Sequence, residues 1–217
     1  MPGFFIAFEG IDGCGKFTQL EKTKKWLKEL GFSVHSSSEP NEDYPLGRTI
    51  KEMLRGKSKI PKPESVLEFQ RLYILDRAQS IICFIKPALE EPNSIYLIER
   101  FALSTFAYGM LSGETAEVFM NLHNETMGPA MLWPDLTILI DIPAKTAMRR
   151  INANRSETEL FEKEKTLERV RRNYIFLLGH WFFKDKVILI DGEASEDEVF
   201  ENVKRVVSGL IHNRAFA

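Results

Sequence analysis

The chain has 217 residues and a formal net charge of −2, with 44% hydrophobic and 28% charged residues. These values are typical of a globular protein, and they argue against a basic nucleic-acid-binding surface as the main function. The two cysteines form neither a metal pair nor a disulfide framework, which favours a reducing, cytoplasmic setting. We find neither an apolar run long enough to span a membrane nor a signal peptide, so we expect no membrane partner.

The predicted elements alternate between strands and helices along the chain. Short apolar runs, typical of strands buried on both faces, occur at 4–8, 95–98, 136–140 and 187–190, with a weaker one at 32–36. Helical spacing of apolar residues predicts helices over 16–30, over 46–54 and from about 65 to 89, where Pro87 bends or ends the last turn. This alternation predicts a parallel sheet covered by helices on both faces.

A glycine-rich turn, Gly-Ile-Asp-Gly-Cys-Gly-Lys at 10–16, lies between the first strand and the first helix. In that context a G-x-x-x-x-G-K motif indicates a phosphate-binding loop rather than a turn without a ligand. Backbone N–H groups and the helix N-terminus surround the phosphates, and Lys16 reaches the β- and γ-phosphates. The motif should end in a hydroxyl that helps to bind magnesium, but Phe17 holds that position and Thr18 follows it. Cys14 faces the helix N-terminus, which would lower its thiol pKa, but a small residue tolerated in the loop is the preferred interpretation.

The most polar stretch of the chain, residues 152–168, is rich in Glu, Lys and Arg. Such a stretch is typical of a solvated helix face. In a nucleotide-binding fold a mobile lid is an equally good interpretation.

Further motifs follow the loop in a fixed order. They are Glu39-Pro40, Leu75-Asp76-Arg77-Ala78-Gln79, Glu99-Arg100-Phe101, Trp133-Pro134-Asp135, Phe161-Glu162-Lys163 and Val170-Arg171-Arg172-Asn173-Tyr174. In order and spacing they resemble the thymidylate kinase family, from about residue 4 to residue 200. The resemblance implies a P-loop NTPase-type three-layer α/β/α sandwich with a five-stranded parallel sheet, in a single domain over 1–217 with a short lid at about 150–163. It implies transfer of a phosphoryl group from ATP to dTMP, giving dTDP and ADP for dTTP synthesis, with Mg²⁺ and in a homodimer that binds no nucleic acid.

The resemblance also assigns roles residue by residue. Around ATP it places Gly10, Ile11, Asp12, Gly13, Cys14, Gly15, Lys16, Phe17 and Thr18, with Arg150 packed against adenine. Around dTMP it places Tyr73 (stacked on thymine), Arg77 (donor to a thymine carbonyl), Thr105 (base edge), Tyr108 (sugar 2′ position) and Arg100 (acceptor phosphate), together with Glu39 and Ser104. Its catalytic residues are Asp12, Lys16, Arg100 and the lid arginine Arg155, and its metal-binding residues are Asp12 and Glu99.

Several positions depart from the family pattern. Ser38 stands where the family commonly has an arginine that clamps the acceptor phosphate, and Arg48 is a candidate to compensate. Glu99 replaces an aspartate, and Phe17 removes a hydroxyl. Two alternatives therefore stay open. The first is another nucleoside or nucleoside monophosphate kinase on the same scaffold, against which the base-side residues argue. The second is a catalytically weakened nucleotide-binding protein, which Ser38 and Phe17 permit.

Overall fold

The computed structural model describes residues 3–154 and 160–215. Within them five strands form one parallel sheet in the order β2-β3-β1-β4-β5, which confirms the predicted fold class. The strands are β1 (Phe4–Glu9), β2 (Ser33–Ser38), β3 (Ser94–Glu99), β4 (Leu136–Asp141) and β5 (Val187–Asp191). Every residue of β1 is buried, as expected for a central strand covered on both faces.

The helices form two packed groups. They are α1 (Lys16–Glu29), α2 (Pro45–Leu54), α3 (Val66–Ser80), α4 (Lys86–Glu90), α5 (Ala102–Gly109), α6 (Ala116–Met127), α7 (Ala144–Asn154), α8 (Glu164–Leu178) and α9 (Glu196–Ala215). Helix α1 packs on α9, whereas α3 packs on α5 and α6, and α5 packs on α8. In the part of the chain that the structure describes, no helix is long and apolar enough to cross a bilayer.

The long helix predicted to about residue 89 has a different form from the one expected. Helix α3 passes into a π-helical turn, Ile81–Ile85, and then into α4, which continues past Pro87 to Glu90. Proline lacks the N–H that an α-helix needs at an interior position. A wider turn just before the proline keeps the helix going, so Pro87 lies inside α4 instead of ending it.

The carboxyl ends of the strands bring the predicted site residues to one edge of the sheet. Strand β1 is central and pairs with β3 on one side and β4 on the other, with Phe8 opposite Glu99. The chain therefore departs in different directions on either side of β1, and open α/β sheets bind ligands at such a point. The phosphate loop follows β1, Glu39 follows β2, and Arg100 follows β3.

Candidate functional site

The phosphate loop has the backbone that its glycines permit. Gly15 has φ 96° and directly precedes α1, and Gly13 has φ 77°. A Cβ atom at Gly13 would lie 2.8 Å from the carbonyl oxygen of Ala147, so a side chain there meets the α7 backbone as well as an unfavourable φ. Lys16, the first residue of α1, is 4% exposed and donates from Nζ to the Ile11 carbonyl at 2.9 Å. Its charge is thus held against the loop.

An ion pair joins the loop to the end of β3. Arg100 Nη2 donates to Asp12 Oδ1 at 2.5 Å, and Nη1 donates to the Gly10 carbonyl at 3.2 Å. The Tyr108 hydroxyl donates to Asp12 Oδ2 at 3.0 Å and accepts from Arg100 at 3.2 Å. Burial raises the pKa of the Asp12 carboxyl, but the Arg100 and Lys16 charges outweigh burial and hold that pKa well below its usual range. Asp12 therefore stays ionised at neutral pH.

Arg100 has a left-handed backbone, with φ 64°. Its N–H donates to the Phe8 carbonyl at 2.9 Å, and its Nη1 donates to Ser104 Oγ at 3.2 Å. These contacts turn the chain at the end of β3 so that the guanidinium points back over the loop.

Glu9, at the end of β1, supports this turn and is absent from the predicted site residues. Its Oε1 accepts from the Phe101 and Ser104 N–H groups at 2.8 and 3.0 Å, which caps the start of α5. Its Oε2 accepts from the hydroxyls of Ser104 at 2.6 Å and Tyr174 at 3.0 Å. A carboxylate that ends an otherwise apolar, fully buried strand is the sequence signal that would have identified it.

A second buried ion pair fixes the loop after β2 to helix α3. Arg77 Nη2 donates to Glu39 Oε2 at 2.6 Å, and Nε donates to both carboxylate oxygens at 3.1 and 3.2 Å. The side chains of Arg77 and Glu39 are 1% and 2% exposed. The preceding residue of α3, Asp76, accepts from the Asn41 N–H at 2.8 Å. Burial raises the pKa of the Glu39 carboxyl, and the Arg77 charge opposes that rise.

One cleft brings these groups together. Every predicted dTMP-side residue lines it: Glu39, Tyr73, Arg77, Arg100, Ser104, Thr105 and Tyr108, joined by Asp12. Lys51, Leu54, Gln70, Phe101 and Phe161 also line it and are absent from the predicted site residues. Lys51 adds a third cation to the cleft beside Arg77 and Arg100, one helical turn beyond the glycine of α2.

A separate cavity lies on the other side of the phosphate loop. It is lined by Gly13, Cys14, Gly15, Thr18, Gln19, Arg150, Ile151, Gly192, Ala194, Glu196 and Val199. Arg150 Nη2 donates to the Gly192 carbonyl at 3.0 Å, which holds the guanidinium between α7 and the turn after β5. Because Asp12 lines the first cleft and Gly13 lines this one, the loop separates the two cavities.

Some sequence expectations need correction. Burial raises the pKa of the Cys14 thiol, and the Lys16 and Arg100 charges do not offset that effect, so the expected lowering is wrong and Cys14 is a packed loop residue. Arg48 is tied by Nη1 to the Glu42 carbonyl at 2.8 Å and the Asp43 carbonyl at 3.2 Å, so its charge caps a local turn instead of replacing the missing clamp.

Other expectations stay predictions. Arg155 lies outside the described residues, as does the middle of the predicted lid. Among the described residues no group of three or more His, Cys, Asp or Glu side chains forms a metal site, and the pair of Asp12 and Glu99 stays a prediction. Phe17 is 62% exposed.

Comparison with known proteins agrees with this geometry. A family model described as thymidylate kinase matches residues 8–203. The chain belongs to the thymidylate kinase family. It is 35% identical over 209 residues to a probable thymidylate kinase of Pyrococcus abyssi, covering 95% of this chain and 97% of that protein.

Two further relatives give the same result. The thymidylate kinase of Thermosipho africanus is 35% identical over 205 residues, which is 94% of this chain and 96% of the relative. That of Halothermothrix orenii is 32% identical over 217 residues, with 97% and 99% coverage. The match to the thymidylate kinase family thus spans both cavities and the loop between them.

Proposed function

We propose that this member of the thymidylate kinase family transfers the γ-phosphoryl group of ATP to dTMP, giving dTDP and ADP. The observation that carries the proposal is the phosphate loop between two cavities, with Asp12 lining one and Gly13 to Gly15 lining the other. In this assignment ATP occupies the cavity beside Arg150 and dTMP occupies the cleft beside Arg77. The triphosphate of ATP and the phosphate of dTMP then meet at the loop.

Arg77 gives the cleft its base preference. A guanidinium has only donors, so a base that offers a carbonyl is accepted and a base that offers an amino group leaves that donor facing another donor. Thr105 Oγ1 accepts from Arg77 Nη2 at 3.2 Å, which places both side chains on the same part of the wall. Tyr73 lines the cleft beside them and supplies a ring surface for the base. These features favour dTMP over dCMP.

Arg100 holds the acceptor phosphate in this proposal. The guanidinium is already fixed by Asp12, the Gly10 carbonyl and Ser104, so little order is lost when a phosphate binds. Ser38, which stands where an arginine is common in the family, is exposed at the end of β2. Lys51 lines the same cleft and supplies a further positive charge for the phosphate.

The transfer step itself needs positioning and charge neutralisation. The phosphate of a nucleoside monophosphate is largely a dianion at neutral pH, because its second pKa is about 6. A phosphate oxygen can therefore attack without a general base. Lys16, the loop N–H groups and the start of α1 neutralise charge that develops on the transferred group. We assign Arg155 a part in the same neutralisation.

The donor set of the site suits magnesium. Mg²⁺ takes one or two carboxylates together with phosphate oxygens and waters, and Asp12 is a carboxylate that stays ionised. Asp12 and Glu99 are the residues that would hold the ion or its waters. When bound, the metal offsets negative charge on the phosphate oxygens.

A coupled ADP-release assay tests the proposal. We expect rapid turnover with dTMP, less with dUMP and far less with dCMP or AMP, and loss of turnover in Lys16→Met with the circular dichroism spectrum unchanged. Lys204→Met, at a partly exposed cation of α9, is the matched control and should keep full activity. Equal rates with all acceptors would favour another nucleoside monophosphate kinase. Nucleotide binding without ADP release would favour a weakened binding protein.

We also propose, from the family resemblance, a homodimer and a cytoplasmic location. Light scattering on the purified chain decides the oligomeric state.

A further inference from the structure

His123 of α6 contacts the base-reading arginine of the proposed function. Its Nε2 lies 2.7 Å from Arg77 Nη1, and its Nδ1 lies 2.7 Å from the Phe119 carbonyl oxygen. The imidazole is fully buried. The Phe106 ring stacks on it with centroids 5.2 Å apart and planes 13° apart, and the Trp133 ring centroid is 5.7 Å away.

These contacts determine which nitrogen carries the proton. A carbonyl oxygen only accepts, so Nδ1 must be the N–H that donates to Phe119. A guanidinium only donates, so Nε2 must be the acceptor for Arg77. His123 is therefore neutral and in the Nδ1–H tautomer. Burial, and then the positive charge of Arg77, lower the pKa of His123 to about 3, which agrees with a neutral ring. Glu39, the other charged group here, lies on the opposite side of the guanidinium.

A count of the Arg77 donors shows what this contact does. Of the five N–H groups, Nε–H and one Nη2–H point to Glu39, the second Nη2–H to Thr105 and one Nη1–H to His123. Within the described residues the second Nη1–H has no acceptor, and Arg77 lines the cleft. The guanidinium plane also lies over the Phe101 ring, with Cζ 4.7 Å from the centroid. The protein thus fixes the guanidinium in its plane and leaves one donor for a ligand.

We propose that His123 is a positioning residue for acceptor selection: by accepting one Nη1–H of Arg77 it directs the other toward a carbonyl of the acceptor base. The inference rests on the proposed function, because it deepens the role of Arg77 in that site. Without an acceptor at position 123, the guanidinium tilts to find another partner, and the donor that reads the base is no longer fixed. Binding of dTMP then weakens, and the preference for a carbonyl over an amino group narrows.

Three variants separate this role from packing. Gln places an amide oxygen where the histidine has Nε2, so His123→Gln keeps the acceptor, whereas His123→Leu fills the space without one. Phe106→Leu disturbs the packing of the imidazole and leaves the acceptor in place. The readouts are KM for dTMP, KM for ATP and the ratio of kcat/KM for dTMP over dCMP.

For His123→Leu we expect KM for dTMP to rise about tenfold or more, the usual effect of one hydrogen bond to a charged group, and the dTMP over dCMP ratio to fall by a similar factor. KM for ATP should stay within about twofold, since ATP lies across the loop. His123→Gln and Phe106→Leu should stay near wild type in KM for dTMP and in selectivity. The proposal is overturned if His123→Leu keeps wild-type selectivity, if His123→Gln loses as much as His123→Leu, or if both KM values rise together.

A measurement without turnover keeps the two proposals apart. Nitrogen-15 NMR of the imidazole should show the neutral Nδ1–H tautomer at pH 7 and still at pH 5.5. An Nε2–H tautomer or an imidazolium would overturn the inference even in an active enzyme. If the wild type shows this tautomer but releases no ADP with dTMP, the proposed function fails, and the link from His123 to dTMP selection fails with it.

Discussion

Glu39 and Arg77 form a buried pair, and removing one partner should lower the free energy of unfolding by a different amount from removing the other. Their side chains are 2% and 1% exposed, so either single substitution leaves a charge with almost no access to water. Breaking such a pair typically destabilises a protein by about 3–5 kcal/mol. The two partners differ in how they respond. A guanidinium stays charged in a protein, whereas burial raises the pKa of the Glu39 carboxyl and loss of the Arg77 charge raises that pKa further, so the carboxyl can take up a proton once Arg77 is gone.

We therefore expect Glu39→Leu to lower the free energy of unfolding by about 3–5 kcal/mol at pH 7, and Arg77→Leu to lower it by less. The double variant should lose far less than the sum, because it leaves no uncompensated charge. At roughly 2–4 °C per kcal/mol for a chain of this size, Glu39→Leu should lower the melting temperature by about 10 °C.

Urea unfolding of the four proteins in a double-mutant cycle gives these differences directly. The exposed pair Arg172–Glu168 is the matched control, with Nε to Oε1 at 3.2 Å and side chains 76% and 35% exposed. Leucine substitutions there should couple by only about 0.3–0.5 kcal/mol. Additive losses at Glu39 and Arg77, or a larger loss for Arg77→Leu than for Glu39→Leu, would refute this account of the buried pair.

Three further predictions concern single positions. The pKa of His123 is lowered to about 3 in the folded chain, so on acidification the unfolded chain binds a proton near pH 6.5 that the folded chain does not. Between pH 7 and pH 5 the free energy of unfolding of the wild type should therefore fall by about 2 kcal/mol more than that of His123→Gln. Parallel curves of unfolding free energy against pH would contradict the assignment. Phe17→Ser should lower the magnesium concentration for half-maximal rate without changing KM for dTMP, and coincident titration curves would show that a hydroxyl there is irrelevant. Arg100→Ala should raise KM for dTMP by tenfold or more and KM for ATP far less, measured by initial rates; equal increases would indicate collapse of the site.

The sequence predicts the sheet and the phosphate loop because both depend on local pattern. Apolar runs mark the central strands, and glycines at fixed spacing before Lys16 mark the loop. The strand ends then lie at one edge of the sheet, so residues far apart in sequence, such as Glu39 and Arg100, are expected to meet. Glu39 and Arg100 line one cleft, as the family resemblance implies, while their chemical roles stay predictions.

What the sequence leaves unresolved depends on tertiary partners. The contact of His123 with Arg77 joins two helices, and only the spacing of His123 with Phe119 and Met127 marks it as buried. The bonds of Glu9 to the start of α5 depend on how β3 turns into that helix. Local propensity contains none of this information.

The left-handed backbone of Arg100 sets selection for stability against selection for activity at one residue. A residue other than glycine in this conformation carries about 1–3 kcal/mol of strain, which glycine would largely relieve. Yet glycine removes the only part of the residue that reaches Asp12 and, as proposed, the acceptor phosphate. A library of this chain selected by heat alone should therefore tolerate glycine or asparagine at position 100. A library selected for catalytic activity should keep arginine there. Position 100 would then show, from two sets of sequences, how much stability the fold gives up for its chemistry.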